Sequence, residues 1–289
     1  MNQSQSPEPL RSFRPPQEGE VIECLGRRYT LGRETGHGYF GAVFQCTDEW
    51  GNDLVAKVLL PQGRTYEQVR QEWLTELQNL KALRHPNITY VYDAFECRDT
   101  FYLIIERCAA TLVDLIGAPD LPGEEWLPAV SRDLLQAIDF IHQSGYVHKD
   151  ISPTNVLVVM SREQLLSTPP ATVVFKVGDL GISRLESDIN LFNAILAKWM
   201  HPPEFLDPEQ FGAIGKPVDI YHGGLLLLSL LLGRIPQFTP AEIAAGEPRR
   251  LAERVPSRYA PAIVRALRRH VAFRTQTAID FWRDLNQSQ

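Results

Sequence analysis

The alternation of apolar and polar residues predicts short strands in the first third of the chain. Apolar-rich runs broken by Gly, Asn and Asp indicate strands at residues 29–34, 42–47, 54–60, 90–95 and 101–105. Residues 50–53, Trp-Gly-Asn-Asp, separate two of these runs and have the composition of a hairpin turn. One helix interrupts the strands, because Trp73, Leu77 and Leu80 recur at helical spacing within residues 66–83.

From about residue 111 onward the pattern is mainly helical. The clearest helices are predicted at residues 126–142 and 223–232, followed by 260–271 and 277–285. The run 225–232 is almost wholly apolar, but a helix that crosses a bilayer needs about 18 such residues. We therefore predict a buried core helix there and no membrane span. A β-rich part followed by a helical part predicts an α+β fold with two lobes.

Length and composition narrow the classes of protein further. A chain of 289 residues allows two domains, or one domain of two lobes, with a core that needs no disulfides. Residues 1–20 are rich in Gln, Ser, Pro and Glu, so we expect a disordered leader and no secretory signal. The four cysteines lack any paired spacing, which favours a reducing compartment and a cytoplasmic location. A net charge of −6 argues against nucleic acid as a partner.

Three features of the β-rich part carry candidate chemistry. Residues 36–43, Gly-His-Gly-Tyr-Phe-Gly-Ala-Val, fit G-x-G-x-x-G-x-V, and glycines let a backbone approach a phosphate closely. By itself this motif is explained as well by a turn between strands, and strand residues follow it, unlike a dinucleotide-binding loop. Lys57 follows the first glycine by 21 residues and can pair with phosphates. Glu76 lies on the predicted helix, 19 residues after Lys57.

Two further motifs follow in the helical part. Residues 148–155, His-Lys-Asp-Ile-Ser-Pro-Thr-Asn, fit H-[RK]-D-x-x-x-x-N, and residues 179–181 read Asp-Leu-Gly. A carboxylate at Asp150 can accept the proton of a substrate hydroxyl, while Asn155 and Asp179 can hold Mg²⁺. Capping residues in two loops would explain either motif alone. They do not explain all five features in this order.

The order of the motifs resembles the eukaryotic-type protein kinase catalytic domain, with Ser/Thr kinases the favoured group. The resemblance extends over about residues 29–285. Glu204, in Pro-Pro-Glu, resembles the end of the activation segment, residues 219–224 resemble the start of the main helix of the large lobe, and Arg274 resembles the arginine that pairs with that glutamate. The resemblance implies a kinase domain at residues 21–289. Its N-lobe would span about 21–106 and its C-lobe about 109–289, and the lobes would meet at residues 106–108.

The resemblance implies a role for each site residue. ATP and Mg²⁺ would be the cofactors, with Lys57 on the α- and β-phosphates, held by Glu76. Asp150 would be the catalytic base, and Asn155 and Asp179 would bind Mg²⁺. The residues implied to contact the nucleotide are Gly36, His37, Gly38, Gly41, Val43, Ala56, Lys57, Glu106, Cys108 and Leu157.

The sequence departs from the family pattern near Asp150. Ser152 stands where Ser/Thr kinases usually have Lys, and Thr154 stands where tyrosine kinases have Arg. We expect transfer to a Ser or Thr of a protein substrate, with a tyrosine or dual-specificity kinase and a pseudokinase scaffold as alternatives. The segment from Asn155 to Asp179 is longer than the family needs, which predicts an inserted surface loop at about 161–171. We expect regulation to come from the leader, from this loop or from a regulatory partner chain.

Overall fold

The structure, a computed structural model, describes residues 13–37, 41–118, 122–162, 171–180, 184–185 and 200–287. The chain divides into two compact units. The first comprises the described residues up to Lys81 together with Tyr90–Arg107, and the second comprises Ala82–Thr89 and the described residues from Cys108 onward. Strands prevail in the first unit and helices in the second, which confirms the predicted α+β class.

A single antiparallel sheet and one helix form the first unit. The six strands lie in the order β1-β2-β3-β4-β6-β5. Their bounds are β1 Val21–Cys24, β2 Arg27–His37, β3 Gly41–Asp48, β4 Asp53–Leu59, β5 Val91–Cys97 and β6 Thr100–Glu106, with helix α1 at Tyr66–Ala82. The five strands and the helix that the apolar pattern predicts are all present. Strand β1 escaped prediction because four residues are too few to show a pattern.

Strand β4 shows how the sheet divides its side chains between two faces. Leu54, Ala56 and Val58 are buried, whereas Val55 and Lys57 between them are only half-buried. Successive side chains of a strand point to opposite faces, so this pattern assigns the first three to the core. They join a continuous cluster of buried apolar residues from all parts of the sheet. Lys57 therefore faces away from this cluster.

The second half of the predicted leader is ordered, so the prediction of disorder is wrong for this part. Pro16 is buried. The N–H of Gly19 donates to the carbonyl of Leu31 at 2.8 Å, and the Thr100 hydroxyl donates to the carbonyl of Arg14 at 3.2 Å. These bonds attach the segment to β2 and β6. Composition cannot reveal partners that lie so far away in sequence. Residues 1–12 lie outside the described part of the chain.

The second unit is mainly helical and includes two small sheets. Its strands are β7 Ala110–Thr111, β8 Tyr146–Val147, β9 Val156–Arg162, β10 Ala171–Val177 and β11 Arg184–Leu185, in the orders β10-β9-β7 and β11-β8. Its helices are α2 Leu112–Leu115, α3 Gly123–Gln143, α4 Pro203–Leu206, α5 Pro208–Phe211, α6 Pro217–Leu232, α7 Pro240–Ala245, α8 Glu247–Glu253, α9 Ala260–Ala266 and α10 Ala278–Gln287.

Helix α6 is the centre of the second unit, as the apolar run predicted. Leu225 to Leu228 are no more than 1% exposed, and α3 and α9 pack against the helix. Pro217 opens the helix, where a missing N–H costs nothing, and Gly233 ends it with φ of 61°. At 16 residues the helix is short for a bilayer. Within the described residues, no helix is both long and apolar enough to cross a membrane.

The predicted helix at 260–271 is shorter than expected. Helix α9 ends at Ala266, and a separate 3₁₀ turn follows at Val271–Phe273. Between them, Nη1 of Arg268 donates to the carbonyl of Phe273 at 3.0 Å, and Nε of Arg274 donates to the carbonyl of Arg268 at 3.0 Å. These bonds hold the turn that follows the end of α9.

The predicted insertion at 161–171 is partly strand. Strand β9 continues to Arg162 and β10 begins at Ala171, and these two residues pair with each other. Both ends of the predicted loop therefore extend a β-hairpin. Residues 163–170 lie outside the described part of the chain.

Candidate active site

An ion pair in the first unit joins strand β4 to helix α1. Nζ of Lys57 donates to Oε1 of Glu76 at 2.7 Å. The two side chains are 13% and 7% exposed. Removing one partner of such a pair leaves an uncompensated charge in a poorly hydrated place, which is costly. The pair therefore holds the ammonium group of Lys57 in a defined position.

Helix α1 is held in place through the aromatic ring of Trp73. Nε1 of Trp73 donates to the carbonyl of Tyr102 at 3.0 Å, and its ring packs on Phe101 with the ring centroids 5.2 Å apart. Both partners belong to β6. One turn of the helix separates Trp73 from Glu76. These contacts therefore help to fix Glu76 relative to the sheet.

Arg64 ties the end of β4 to the same helix. Its guanidinium group contacts the carboxylate of Glu72 on α1 and the carbonyl of Leu60, and Nε donates to the carbonyl of Pro61 at 3.0 Å. The side chain is only 13% exposed. The apolar pattern did not single out Arg64, because bonds to a loop backbone and to a carboxylate on a helix leave no periodic signal in the sequence.

Of the two glycines of the 36–43 motif that the structure describes, packing requires one. Strand β2 ends at His37 and β3 begins at Gly41. Gly38, between them, lies outside the described residues. A Cβ on Gly41 would lie 2.2 Å from the carbonyl oxygen of Val58, so packing against β4 already requires glycine. A Cβ on Gly36 would come no closer than 3.8 Å to any other atom. The fold itself therefore does not account for glycine at that position.

The structure does not place Ala56 on the face of Lys57, although the resemblance implied that both contact the nucleotide. Lys57 pairs with Val43 across the sheet, whereas Ala56 pairs with Phe44 and is fully buried in the core cluster. Directly paired residues share a face of the sheet. Val55, two residues before Lys57, lies on the face of Lys57 and Val43. The two-residue period of the strand was the signal that could have identified it.

The other predicted nucleotide contacts are distributed over both units. In the first unit, Glu106 accepts the N–H of Tyr90 through Oε1 at 2.7 Å and donates its own N–H to the Tyr90 carbonyl at 3.0 Å. Nδ1 of the exposed His37 ring lies 2.9 Å from a carboxylate oxygen of Glu34. In the second unit, Cys108 and Leu157 are half-buried, with Leu157 on β9.

In the second unit, backbone and side-chain bonds bring Asp150, Asn155 and Asp179 together. Nδ2 of Asn155 donates to Oδ2 of Asp150 at 2.8 Å and to its carbonyl at 3.0 Å. The N–H of Gly178 donates to the Asn155 carbonyl at 2.8 Å. The Gly178 carbonyl lies 3.0 Å from Nε2 of the buried His148. Asp179 follows Gly178 directly, so these bonds hold it beside the loop.

The carboxylate of Asp219 holds the 148–155 loop in place. Its carboxylate accepts the N–H groups of His148 at 2.9 Å and Lys149 at 2.8 Å, and it lies 2.8 Å from Nε2 of His142. Burial alone would raise the pKa of Asp219, but the His142 bond, the nearby histidine charges and the His148 N–H outweigh it and lower the pKa. The ionised carboxylate can thus hold Lys149 in a left-handed conformation with φ of 70°. Sequence patterns gave no sign of His142.

The charges around Asp150 suit a proton acceptor beside a cation site. Burial raises the pKa of the Asp150 carboxyl; a charge on His148 and the Asn155 hydrogen bond oppose this shift, and the negative charge of Asp179 adds to it. The amide oxygen of Asn155 and the carboxylate of Asp179 are hard donors of the kind Mg²⁺ prefers. Among the described residues no three His, Cys, Asp or Glu side chains form a closed metal site. The donors present fit Mg²⁺ completed by substrate phosphates.

Ser152 and Thr154, where the sequence departs from the family pattern, contact each other. Their hydroxyl oxygens lie 2.8 Å apart. Both side chains are neutral, so neither position offers a cation for a phosphate. The bond between them stiffens the loop between Asp150 and Asn155.

Glu204 and Arg274 form a fully buried ion pair. Nη1 and Nη2 of Arg274 donate to Oε1 and Oε2 of Glu204 at 2.5 and 2.7 Å, and neither side chain is exposed. Arg274 also donates to the carbonyl of Pro217, where α6 begins, at 3.0 Å. The pair connects α4, α6 and the segment before α10. This is the pairing that the sequence resemblance implied.

Comparison with known proteins places this geometry in a family. The family model described as "Protein kinase domain" matches residues 29–281. Calcium-dependent protein kinase 8 of Arabidopsis thaliana is 32% identical, over 73% of this chain and 38% of its own length. Serine/threonine-protein kinase TAO2 of Xenopus laevis is 28% identical, over 74% and 20%. Cyclin-dependent kinase-like 4 of Mus musculus is 26% identical, over 72% and 57%. The chain thus spans well under half the length of the first two.

Proposed function

Because the chain belongs to the family of protein kinase domains, we propose that it transfers the γ-phosphoryl group of ATP to a serine or threonine hydroxyl of a protein substrate. The cluster of Asp150, Asn155 and Asp179 carries this proposal. It combines a positioned carboxylate with raised pKa and two hard oxygen donors, which are the groups that phosphoryl transfer to a hydroxyl requires.

Asp150 accepts the proton of the substrate hydroxyl. As it does so, the hydroxyl oxygen attacks the γ-phosphorus, and the bond between the γ-phosphorus and the β-phosphate oxygen breaks. Asn155 holds the carboxylate in place through Nδ2, so that the acceptor oxygen does not have to reorganise. Lys57 neutralises charge on the α- and β-phosphates, and Glu76 keeps its ammonium group from moving to solvent.

Asn155 and Asp179 would hold Mg²⁺, as kinases of this family generally do. When bound, the ion would neutralise charge on the phosphates and orient them. The left-handed backbone of Asp179, with φ of 55°, supports a functional role for this residue, because a non-glycine residue adopts such a conformation only at a cost.

The name of the TAO2 relative supports Ser or Thr as the acceptor. In tyrosine kinases the family pattern has an arginine near the catalytic aspartate, at the position of Thr154. Thr154 provides no positive charge there, and its hydroxyl is bonded to Ser152. Serine and threonine are therefore the acceptors that we propose.

The proposal is tested by measuring nucleotide binding and phosphoryl transfer separately. We expect ATP to raise the melting temperature only when Mg²⁺ is present, and mass spectrometry to find phosphate on Ser or Thr of a generic protein substrate. Asp150→Asn should lower kcat by about 10²–10⁴ while ATP still binds. Asp139→Asn, the same change on α3, is the control and should retain full activity. Transfer that survives Asp150→Asn, or phosphate found only on Tyr, would contradict the proposal.

A further inference from the structure

The second unit contains a strongly basic stretch within an acidic chain. Residues 247–274 hold eight arginines, two glutamates and no lysine, a surplus of six positive charges. The whole chain carries a net charge of −6, so everything outside this stretch is strongly acidic. Arg265 and Arg274 pair with Asp284 and Glu204 outside the stretch, and the surplus of four positive charges that remains produces a positive potential that acts on charged ligands.

Three of these arginines converge where α7 ends and α8 begins. Nη2 of Arg250 and Nη1 of Arg269 donate to the last two carbonyl groups of α7, at 2.9 and 2.7 Å. Arg250 lies 3.1 Å and Arg254 lies 3.4 Å from the carboxylate of Glu247. Arg250, Arg254 and Arg269 are called the arginine cluster below.

The arginine cluster is accessible and retains positive charge. The side chains of Arg250 and Arg254 are 51% and 67% exposed, and the carboxylate that pairs with both, that of Glu247, is itself 28% exposed. Exposed ion pairs of this kind are weak, so a ligand with several carboxylates competes with Glu247 at little cost. Arg269 is already fixed by its bond to α7, which reduces the side-chain entropy lost on binding.

We propose that the arginine cluster binds an acidic segment of the protein substrate, at a distance in sequence from the phosphorylated residue. Guanidinium groups match carboxylates with two parallel hydrogen bonds, which favours arginine over lysine at such a site. Helix α4, which carries Glu204, packs against α7. The arginine cluster, at the end of α7, is therefore connected through this helix to α4, whose Glu204 resembles the end of the activation segment of the family.

An acidic peptide is a better match for this surface than nucleic acid. Nucleic acid binding relies on many phosphate contacts over a broad basic surface. Here the basic surface is local, and the remainder of the chain is acidic and would repel a long polyanion. The identity of the ligand as a substrate rests on the proposed function, whereas its acidic character rests on the arginine cluster alone.

The first experiment measures binding without catalysis. A fluorescent peptide of eight glutamates and a matched peptide of eight glutamines are titrated with the full chain, followed by fluorescence anisotropy at low and high salt. We expect the acidic peptide to bind at least about tenfold more tightly at low salt and to lose this advantage at high salt.

Arg250→Ala combined with Arg254→Ala should weaken the binding of the acidic peptide by about fivefold. Arg254→Ala alone, which removes no bond to backbone, should give part of the loss. Arg283→Ala, on α10 and 63% exposed, is the matched control and should bind as the wild type does.

The second experiment measures phosphorylation of a peptide substrate with and without an acidic extension. The double variant should raise KM for the extended peptide by about fivefold and leave kcat, and both constants for the plain peptide, unchanged.

Equal binding of the two fluorescent peptides, with normal transfer to the plain substrate, would overturn the proposed docking site alone. Tighter binding of an RNA oligonucleotide of equal charge would also overturn it. If the acidic peptide binds through the arginine cluster but no substrate is phosphorylated, the proposed kinase activity is overturned. The proposal that the arginine cluster binds an acidic ligand would then still hold.

Discussion

Val55 and Ala56 are neighbours in sequence, but their side chains belong to different environments. Ala56 is fully buried among the apolar residues of the sheet, and Val55 lies on the half-buried face with Lys57. The family resemblance alone cannot tell which of the two contacts a nucleotide, because a shift of one residue changes the face. The strand register favours Val55, because it places this residue on the face of Lys57.

Replacing Val55 or Ala56 by a larger residue should have different effects, because the two side chains lie on different faces of the sheet. Val55→Phe should raise the dissociation constant of ATP by about tenfold, because the ring occupies the face of Lys57, while the melting temperature stays nearly unchanged. Ala56→Leu should lower the free energy of unfolding by about 1–3 kcal/mol, because the core has no room for the added atoms. Isothermal titration and urea unfolding measure the two quantities. The reverse pattern would place Ala56, and not Val55, at the nucleotide.

Asp150, within the 148–155 loop, and Asp219, which bonds to the backbone of this loop, have opposite environments. Burial raises the pKa of Asp150, whereas the His142 bond, the nearby histidine charges and the His148 N–H lower that of Asp219 despite its burial. A carboxylate whose pKa is raised accepts a proton more readily, and one whose pKa is lowered stays charged. These opposite shifts agree with the proposed role of Asp150 as proton acceptor and with Asp219 as a charged anchor.

At the scale of elements, helix α1 depends on Arg64. Arg64→Ala removes contacts to the Leu60 and Pro61 carbonyls and to Glu72, and should cost about 1–3 kcal/mol of stability. We also expect faster amide exchange in α1 and a lower kcat, because Glu76 then holds Lys57 less firmly.

Two variants control for the loss of charge in Arg64→Ala. Arg64→Lys keeps the charge but cannot form the same set of bonds, so its kcat should be intermediate. Arg70→Ala, on the exposed side of the same helix, should behave as the wild type does. Equal effects of the Arg64→Ala and Arg70→Ala changes would show that Arg64 does not position α1.

The Glu204–Arg274 pair connects α4 to α6 and should be essential for stability. Glu204→Gln leaves the Arg274 guanidinium buried without its counter-charge, so we expect a loss of about 3–5 kcal/mol in urea unfolding. Glu253→Gln, in the exposed pair with Arg249, should cost less than about 1 kcal/mol. A similar small loss for both variants would mean that the buried pair adds little to the stability of the second unit.

The sequence predicts elements well where a regular pattern runs through them. Periodicity located the sheet of the first unit, α1 and α6, and the motif spacing selected Lys57, Glu76, Asp150 and Asn155, which the structure places in two hydrogen-bonded pairs. The misses share another cause. The order of residues 13–20 and the contact of His142 with Asp219 depend on partners distant in sequence. No local pattern records such partners.

At the scale of the whole molecule, acid stability depends on buried groups such as His222. This side chain is fully buried on α6; Nε2 donates to the carbonyl of Met200 at 3.0 Å, and Nδ1 has no hydrogen-bond partner among the described residues. Burial lowers the pKa of His222 to about 4, the charge of Asp219 and the Met200 bond oppose this shift, and His148 and Arg274 add to it. The ring is therefore neutral in the folded protein at pH 7.

Acidification should therefore destabilise the protein through His222 between pH 6.5 and 4. The unfolded chain binds a proton at the ordinary pKa of about 6.5 and the folded chain only near 4, so the free energy of unfolding falls as the pH drops through this window. Asp219, with its lowered pKa, loses its contribution only below 3.8, outside the window. We expect the wild type to lose about 1 kcal/mol more than His222→Gln between pH 7.5 and 5.5 in urea unfolding. Gln can still donate to the Met200 carbonyl but does not titrate. Equal losses in both proteins would show that His222 does not govern acid stability.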